Sequence, residues 1–330
     1  MPTTLSLIAP TAWEHPADRA ALNALRALPG FDEVVRRVFG FLGERGIRQL
    51  FLGNAVRVGP RQRPQLDALY TDVLTTLDWP GGTEAIVNRT GRPELYVSQT
   101  PFVNAGAVGF ERPFIVISSA SLELLDDDEQ RFILAHELGH VMSGHVTYRT
   151  LAVLLLMLGL RNLPFLAGLA LMPFQLALLE WYRKSELSAD RAGLLGVQNE
   201  RAAMAVFMKL AGGGAGADSL DLDEFMIQAT EYETEDGAWD NVLKILNTAF
   251  RDHPFGTVRA GELQRWVASG AYADIVGGAY PRRDGTGSRP LGDDMADAAG
   301  YYGQQVRTVV TQLGDSLDRA ADAVADAFRR

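Results

Sequence analysis

Three of the chain's five histidines fall within ten positions, inside the run FILAHELGHVMSGH at 132–145. On a helix each residue advances about 100°, so His136 and His140, four apart, lie about 40° apart on one face. Two imidazoles placed one turn above the other can share one small ion. Glu137, next to the first histidine, can reach a water on that ion. Two ligands and a general base on one helix suit metal-assisted hydrolysis.

A catalytic zinc needs three protein ligands and a water. The chain has no cysteine, so the third ligand must be His, Asp or Glu. On a continuous helix His145, nine positions after His136, would point about 180° away. The three-histidine form of the motif places its last histidine six after the second and a glycine three after it. Here Ser143 holds the glycine position and His145 comes one residue early. His145 is therefore expected on the surface or in a second layer, not on the ion. SELSAD at 185–190 offers the missing donor. Glu186 can complete a tetrahedron, and Asp190, one turn on, can accept the outer N–H of a ligand histidine and fix its tautomer. Alone, that segment reads equally well as a solvated acidic helix face; beside H-E-x-x-H it reads as a ligand and its support.

These side chains need helices to hold them. Apolar periodicity predicts one or two helices over 16–45 and another over 64–78 that begins at Pro64. The acidic run Asp126–Glu129 suits the positive end of the histidine-bearing helix. Between 80 and 118 the pattern changes: ELYVSQ and PFIVIS are short β-rich runs with NAGAVGF between them. They predict a small antiparallel sheet of about three strands. Residues 151–179 form an apolar tract of 29 positions whose one charge is Arg161, broken at RNLP. Its first ten residues reach about 15 Å as helix, against a bilayer core of about 30 Å. The second half carries two prolines, Asn162 and Gln175, so neither half is a clean membrane span. An apolar helical hairpin is expected, with three alternatives for its tip: insertion into a membrane, burial in an oligomer, or cover by an amphipathic C-terminal helix at 296–330. The expected organisation is a domain over 1–275, a Gly/Pro/Asp-rich linker over 276–295, and that helix.

With 47 % hydrophobic and 22 % charged residues in 330, the chain can bury a sizeable core. A net charge of −10 argues against a nucleic-acid partner. The lack of cysteine excludes disulfides and thiolate sites and fits the cytoplasm. MPTTLSLIAPTAWEHPADR has no basic segment before its short apolar piece, so a secreted protein is not expected. The expected location is the cytoplasmic side, membrane-associated if the hairpin inserts; oligomeric state is open.

With these residues in view, the chain resembles the gluzincin metallopeptidases that include the CAAX prenyl proteases and the HtpX-like heat-shock peptidases. The resemblance rests on HELGHVMSGH (136–145), SELSADRAG (185–193), NAGAVG (104–109) and DHPFGTVR (252–259), and spans about 30–270. It implies a mainly helical α+β zincin-type fold with one Zn2+ held by His136, His140 and Glu186. Glu137 would be the general base, and Asp190 the supporting aspartate. Asn104, Ala105, Gly106 and Ala107 would form an edge strand that pairs with an extended substrate. His253 and Arg259 match the family's His-Pro and following Arg, implied to steady an oxyanion. Phe255 departs from the family pattern after His-Pro, and His253 also reads as a helix C-terminal histidine before proline. The implied activity is zinc-dependent endopeptidase action on polypeptides. The alternative from another class is a metal-binding scaffold, or a chaperone-like membrane-associated protein without turnover. Three ligands beside a base leave one coordination position open, which favours catalysis.

Overall fold

The computed structural model describes residues 2–28, 30–159, 165–214, 216–234 and 256–286. In chain order its elements begin with α1 (Pro16–Arg26), α2 (Phe31–Leu52), β1 (Ala55–Arg57), α3 (Pro64–Thr76) and α4 (Gly82–Asn88). The strands β2 (Glu94–Ser98), β3 (Ala105–Val108) and β4 (Phe114–Ser118) follow, then α5 (Ser119–Leu124), α6 (Asp127–Met142), α7 (Val146–Gly159) and α8 (Phe165–Val197). The last are α9 (Glu200–Gly212), α10 (Leu222–Thr234), α11 (Gly256–Ala268) and α12 (Ala271–Val276).

The acidic run opens α6 through a reciprocal cap. Asp126 accepts the Glu129 N–H at 3.0 Å, and the Glu129 carboxylate accepts the Asp126 N–H at 2.9 Å. Such a box satisfies two otherwise unpaired donors. Lys209 of α9 closes on Glu129 at 2.6 Å, so this end of the helix is fastened to a neighbour. From Phe132 to His140 every residue of α6 is buried. Phe132, Leu134 and Leu138 enter the main core with Leu74, Leu77, Leu194, Leu195 and Phe207, each apolar side chain contributing about 1.5–3 kcal/mol.

Close approach of α6 to α8 sets the site, and glycine permits it. A Cβ on Gly139 would stand 2.5 Å from the Ala192 Cβ, and one on Gly196 would stand 2.1 Å from the Ala135 Cβ. Neither position can carry a side chain without pushing the helices apart.

The sheet differs from the expected antiparallel arrangement. It has four strands in the order β1-β2-β4-β3. β1 and β3 pair antiparallel with their neighbours, but β2 and β4 run parallel, with Glu94 opposite Phe114 and Ser98 opposite Ser118. β3 passes to the outer edge before β4 returns between it and β2. Alternation in sequence records which face a residue takes, not which strand lies beside it. β1, at three residues, is too short to show a period.

α7 and α8 flank the break in the apolar tract and pack along each other. α1 lies on α8 in a second core of Ala21, Leu25, Leu151, Leu178 and Trp181. Residues 160–164 and 296–330, on which the three alternatives for the hairpin tip turn, lie outside the described residues. Among the described residues no helix is long and apolar enough to cross a membrane. The first part of the expected linker is fastened to the body: Ala9 N–H donates to Pro281 at 3.0 Å, and Arg283 N–H to Leu7 at 2.8 Å.

Candidate metal centre

α6 and α8 bring their functional side chains to one buried point. His136 Nε2 and His140 Nε2 are 3.2 Å apart. Glu186 Oε2 lies 3.6 Å from the first, and Glu186 Oε1 lies 3.3 Å from the second. A tetrahedral ion with bonds near 2.0 Å spaces its ligand atoms about 3.3 Å apart, so this triangle has the right size. Among the described residues, this is the one group of three that could hold a metal. The charges agree. Glu137, Glu186, Asp190 and Asp18 are buried here with Arg149 and Arg259. That excess of carboxylate over guanidinium is one a divalent ion would offset, since buried charge needs a partner.

The outer side of His136 faces Asp190. Its Nδ1 lies 3.0 Å from Asp190 Oδ1. Arg259 of α11 holds the same carboxylate with two bonds, Nε to Oδ2 at 2.8 Å and Nη2 to Oδ1 at 2.5 Å. Arg259 Nη1 also reaches 3.5 Å from Glu186 Oε2. Burial works against a charged His136, but Asp190 and Glu186 outweigh it and push its pKa up to about 9. His140 moves the other way: burial, then Arg149, hold it well below its ordinary value.

Glu137 is 3 % exposed. Its Oε2 accepts the Ala107 N–H of β3 at 2.7 Å, and its Oε1 stands 3.9 Å from His136 Nε2. A carboxylate thus sits between the ligand triangle and the sheet edge. Asn104 precedes that edge strand, Ala105 and Gly106 lie on it, and Thr150 of α7 binds both the N–H and the carbonyl of Gly109 just beyond it. His253 lies outside the described residues.

His145 departs from the continuous-helix geometry. α6 ends in a Schellman turn: Gly144 takes φ +71°, the His145 N–H donates to His140 C=O at 3.0 Å, and the Gly144 N–H to Val141 C=O at 3.2 Å. The chain therefore folds back. His145 is buried with its Nδ1 3.0 Å from His140 Nδ1, which realises the second-layer alternative. Gly144 was the signal for this, a glycine just past the last turn of a helix.

Sequence reasoning missed Arg149. Its Nη1 is 2.7 Å from His140 Nε2 and contacts Glu186 Oε1, while its Cζ sits 4.2 Å from the Tyr182 ring centroid. An imidazole nitrogen has one lone pair, so that contact and a metal bond exclude each other. The guanidinium is held against the Tyr182 ring at the same time.

The comparisons with known proteins agree with this arrangement. The profile of peptidase family M48 matches residues 83–267. The chain is 33 % identical over 270 residues to the plastoglobule-localized metallopeptidase 48, chloroplastic, of Arabidopsis thaliana, covering 80 % of this chain and 74 % of that protein. Shorter matches reach a protease HtpX homolog of Helicobacter pylori (strain J99), 38 % identical over 56 residues, 16 % of this chain and 18 % of that one. Another from Moorella thermoacetica is 30 % identical over 100 residues, 30 % of each chain. No solved structure matches significantly. A family match over more than half of the chain, supported by a relative of comparable length, establishes that this protein belongs to peptidase family M48 and is a metal-dependent, HtpX-like metalloprotease.

Proposed function

We propose that the protein is a zinc endopeptidase in which Glu137 is the general base. The observation that carries this reading is the place of Glu137, buried between the His136–His140–Glu186 triangle and the outer edge of β3. Two imidazoles and one carboxylate at tetrahedral spacing suit zinc better than calcium or magnesium, which prefer oxygen donors. When bound, the ion would supply Lewis acidity to water and to the scissile carbonyl.

The chain's own residues do the rest. His136, His140 and Glu186 hold the ion. Glu137 takes a proton from the attacking water and passes it to the departing amine. The Ala107 N–H keeps one Glu137 oxygen turned toward the sheet and leaves the other for the water. Residues 104–107 receive an extended polypeptide as an added strand. Asp190 orients His136. Arg259 steadies Asp190 rather than an oxyanion, because its guanidinium is already committed there; the family resemblance leaves the oxyanion role with His253, which lies outside the described residues.

Glu137→Gln should keep one zinc per chain while hydrolysis of a denatured protein falls by about 10²–10⁴-fold. Metal analysis and a chelator-controlled proteolysis assay check both. Native turnover in that variant would remove Glu137 from the mechanism. The apolar tract 151–179 is the part of this chain that would meet a membrane. Carbonate and high-salt washes of the membrane fraction test it.

A further inference from the structure

We propose that His145 and Asp18 form a second orienting chain for the metal centre, through which α1 fixes the ring of His140. Both are positioning residues, and the inference rests on the ligand set proposed above. His140 Nδ1 lies 3.0 Å from His145 Nδ1, and His145 Nε2 lies 3.0 Å from Asp18 Oδ2. The protons have one consistent placement. If His140 offers Nε2 to the ion, its Nδ1 carries the hydrogen and donates. His145 Nδ1 must then accept, so His145 Nε2 carries a hydrogen and donates to Asp18.

Asp18 is prepared for this role. Its Oδ1 accepts Trp181 Nε1–H at 2.9 Å, and its Oδ2 accepts the Ser188 hydroxyl at 2.6 Å. Ser188 in turn accepts the His15 N–H at 2.8 Å, which ties the start of α1 to α8. Asp18, His145, Trp181 and Ser188 are each 2 % exposed or less. Burial alone would favour a neutral Asp18; the hydrogen bonds it accepts from His145, Ser188 and Trp181 favour the ionised form. A buried carboxylate kept ionised is costly where only packing is required. Here it faces the ring that faces a ligand, the arrangement by which outer groups orient metal-binding histidines. Asp18 also lies outside the segment 83–267 that matches the family. α1 thus contributes to a centre whose ligands all sit elsewhere.

The test uses the full chain loaded with zinc or, for spectroscopy, cobalt(II). Asp18→Asn and His145→Gln should each weaken metal binding about 10–100-fold in a chelator competition. Both should also alter the visible cobalt bands. Asp18→Asn should add nothing in a His145→Gln background, because the chain is already cut. Variants with a lowered Tm but native affinity and native cobalt bands would overturn the proposal and leave Asp18 as packing alone. Additive losses would overturn it as well. Should Asp18→Asn fail to fold, His145→Gln decides alone, since it keeps Asp18 with Trp181 and Ser188. The ligand reading fails separately: in that case His140→Ala binds metal like the native chain.

Discussion

The two histidines of α6 stand four residues apart, yet they are backed in different ways. Behind His136 the carboxylate is adjacent: Asp190 sits one turn after Glu186 on α8, and Arg259 pairs with its charge. Behind His140 a second imidazole intervenes, and Asp18 comes from α1 with a tryptophan and a serine as its other donors. One side is braced by local spacing and a full ion pair. The other is braced by the docking of two helices far apart in sequence. A disturbance of α1 on α8 should therefore reach His140 first.

The comparison can be broken at its root by Glu186→Ala, the largest effect expected. Both sides converge on that carboxylate, so metal content and proteolysis should vanish together; stoichiometric metal in purified protein would show that the two histidines suffice. Next comes Asp190→Asn. It leaves Arg259 only its longer contact to Glu186, and breaking a buried pair costs about 3–5 kcal/mol. Calorimetry should place its Tm below that of Asp18→Asn, and the reverse order would contradict the contrast between ion pair and neutral donors. Gly139→Ala tests the crossing that both sides share. Its Cβ would meet the Ala192 Cβ at 2.5 Å, at a cost of about 1–3 kcal/mol in a urea titration, and Ala192→Gly should restore most of it.

The smallest effect concerns how α1 is anchored. His15, at the N-cap of α1, lies 3.7 Å from Glu262 of α11. Burial would raise the Glu262 pKa, but His15 and Arg265 hold it down to about 2. A depressed carboxylate stabilises the fold above its unfolded pKa and loses that contribution as pH falls through the folded one. Glu262→Gln should therefore be less stable than the native chain at pH 6, by at most about 3 kcal/mol. The two should converge as the pH is lowered from about 4.5 to 2. A difference that stays constant across that range would assign Glu262 a role unrelated to its charge.

The features legible in the sequence were those that depend on spacing within one helix. His136, Glu137 and His140 share a face of α6, and Glu186 and Asp190 share a face of α8, so helical geometry alone grouped each set. The lack of cysteine left His, Asp or Glu as the third ligand, and the SELSAD segment with the family resemblance pointed to Glu186. Strand order was not legible, because the parallel β2–β4 pair is decided by where β3 goes and not by alternation. His145 was placed by extending a helix that Gly144 ends. No spacing joins residue 18 to residue 145, and their meeting depends on how α1 packs on α8. Arg149 escaped for a similar reason: its reach to His140 needs the fold-back that Gly144 allows.

Along the open side of β3, two main-chain donors are already taken, Ala107 by Glu137 and Gly109 by Thr150. A peptide laid there as a fifth strand would lose those two donors and keep its rungs toward the Ala105 end and the Ala107 carbonyl. If the proposed strand addition holds, so brief a grip on the backbone would favour stretches already frayed from their own fold and drawn out straight over any one run of residues.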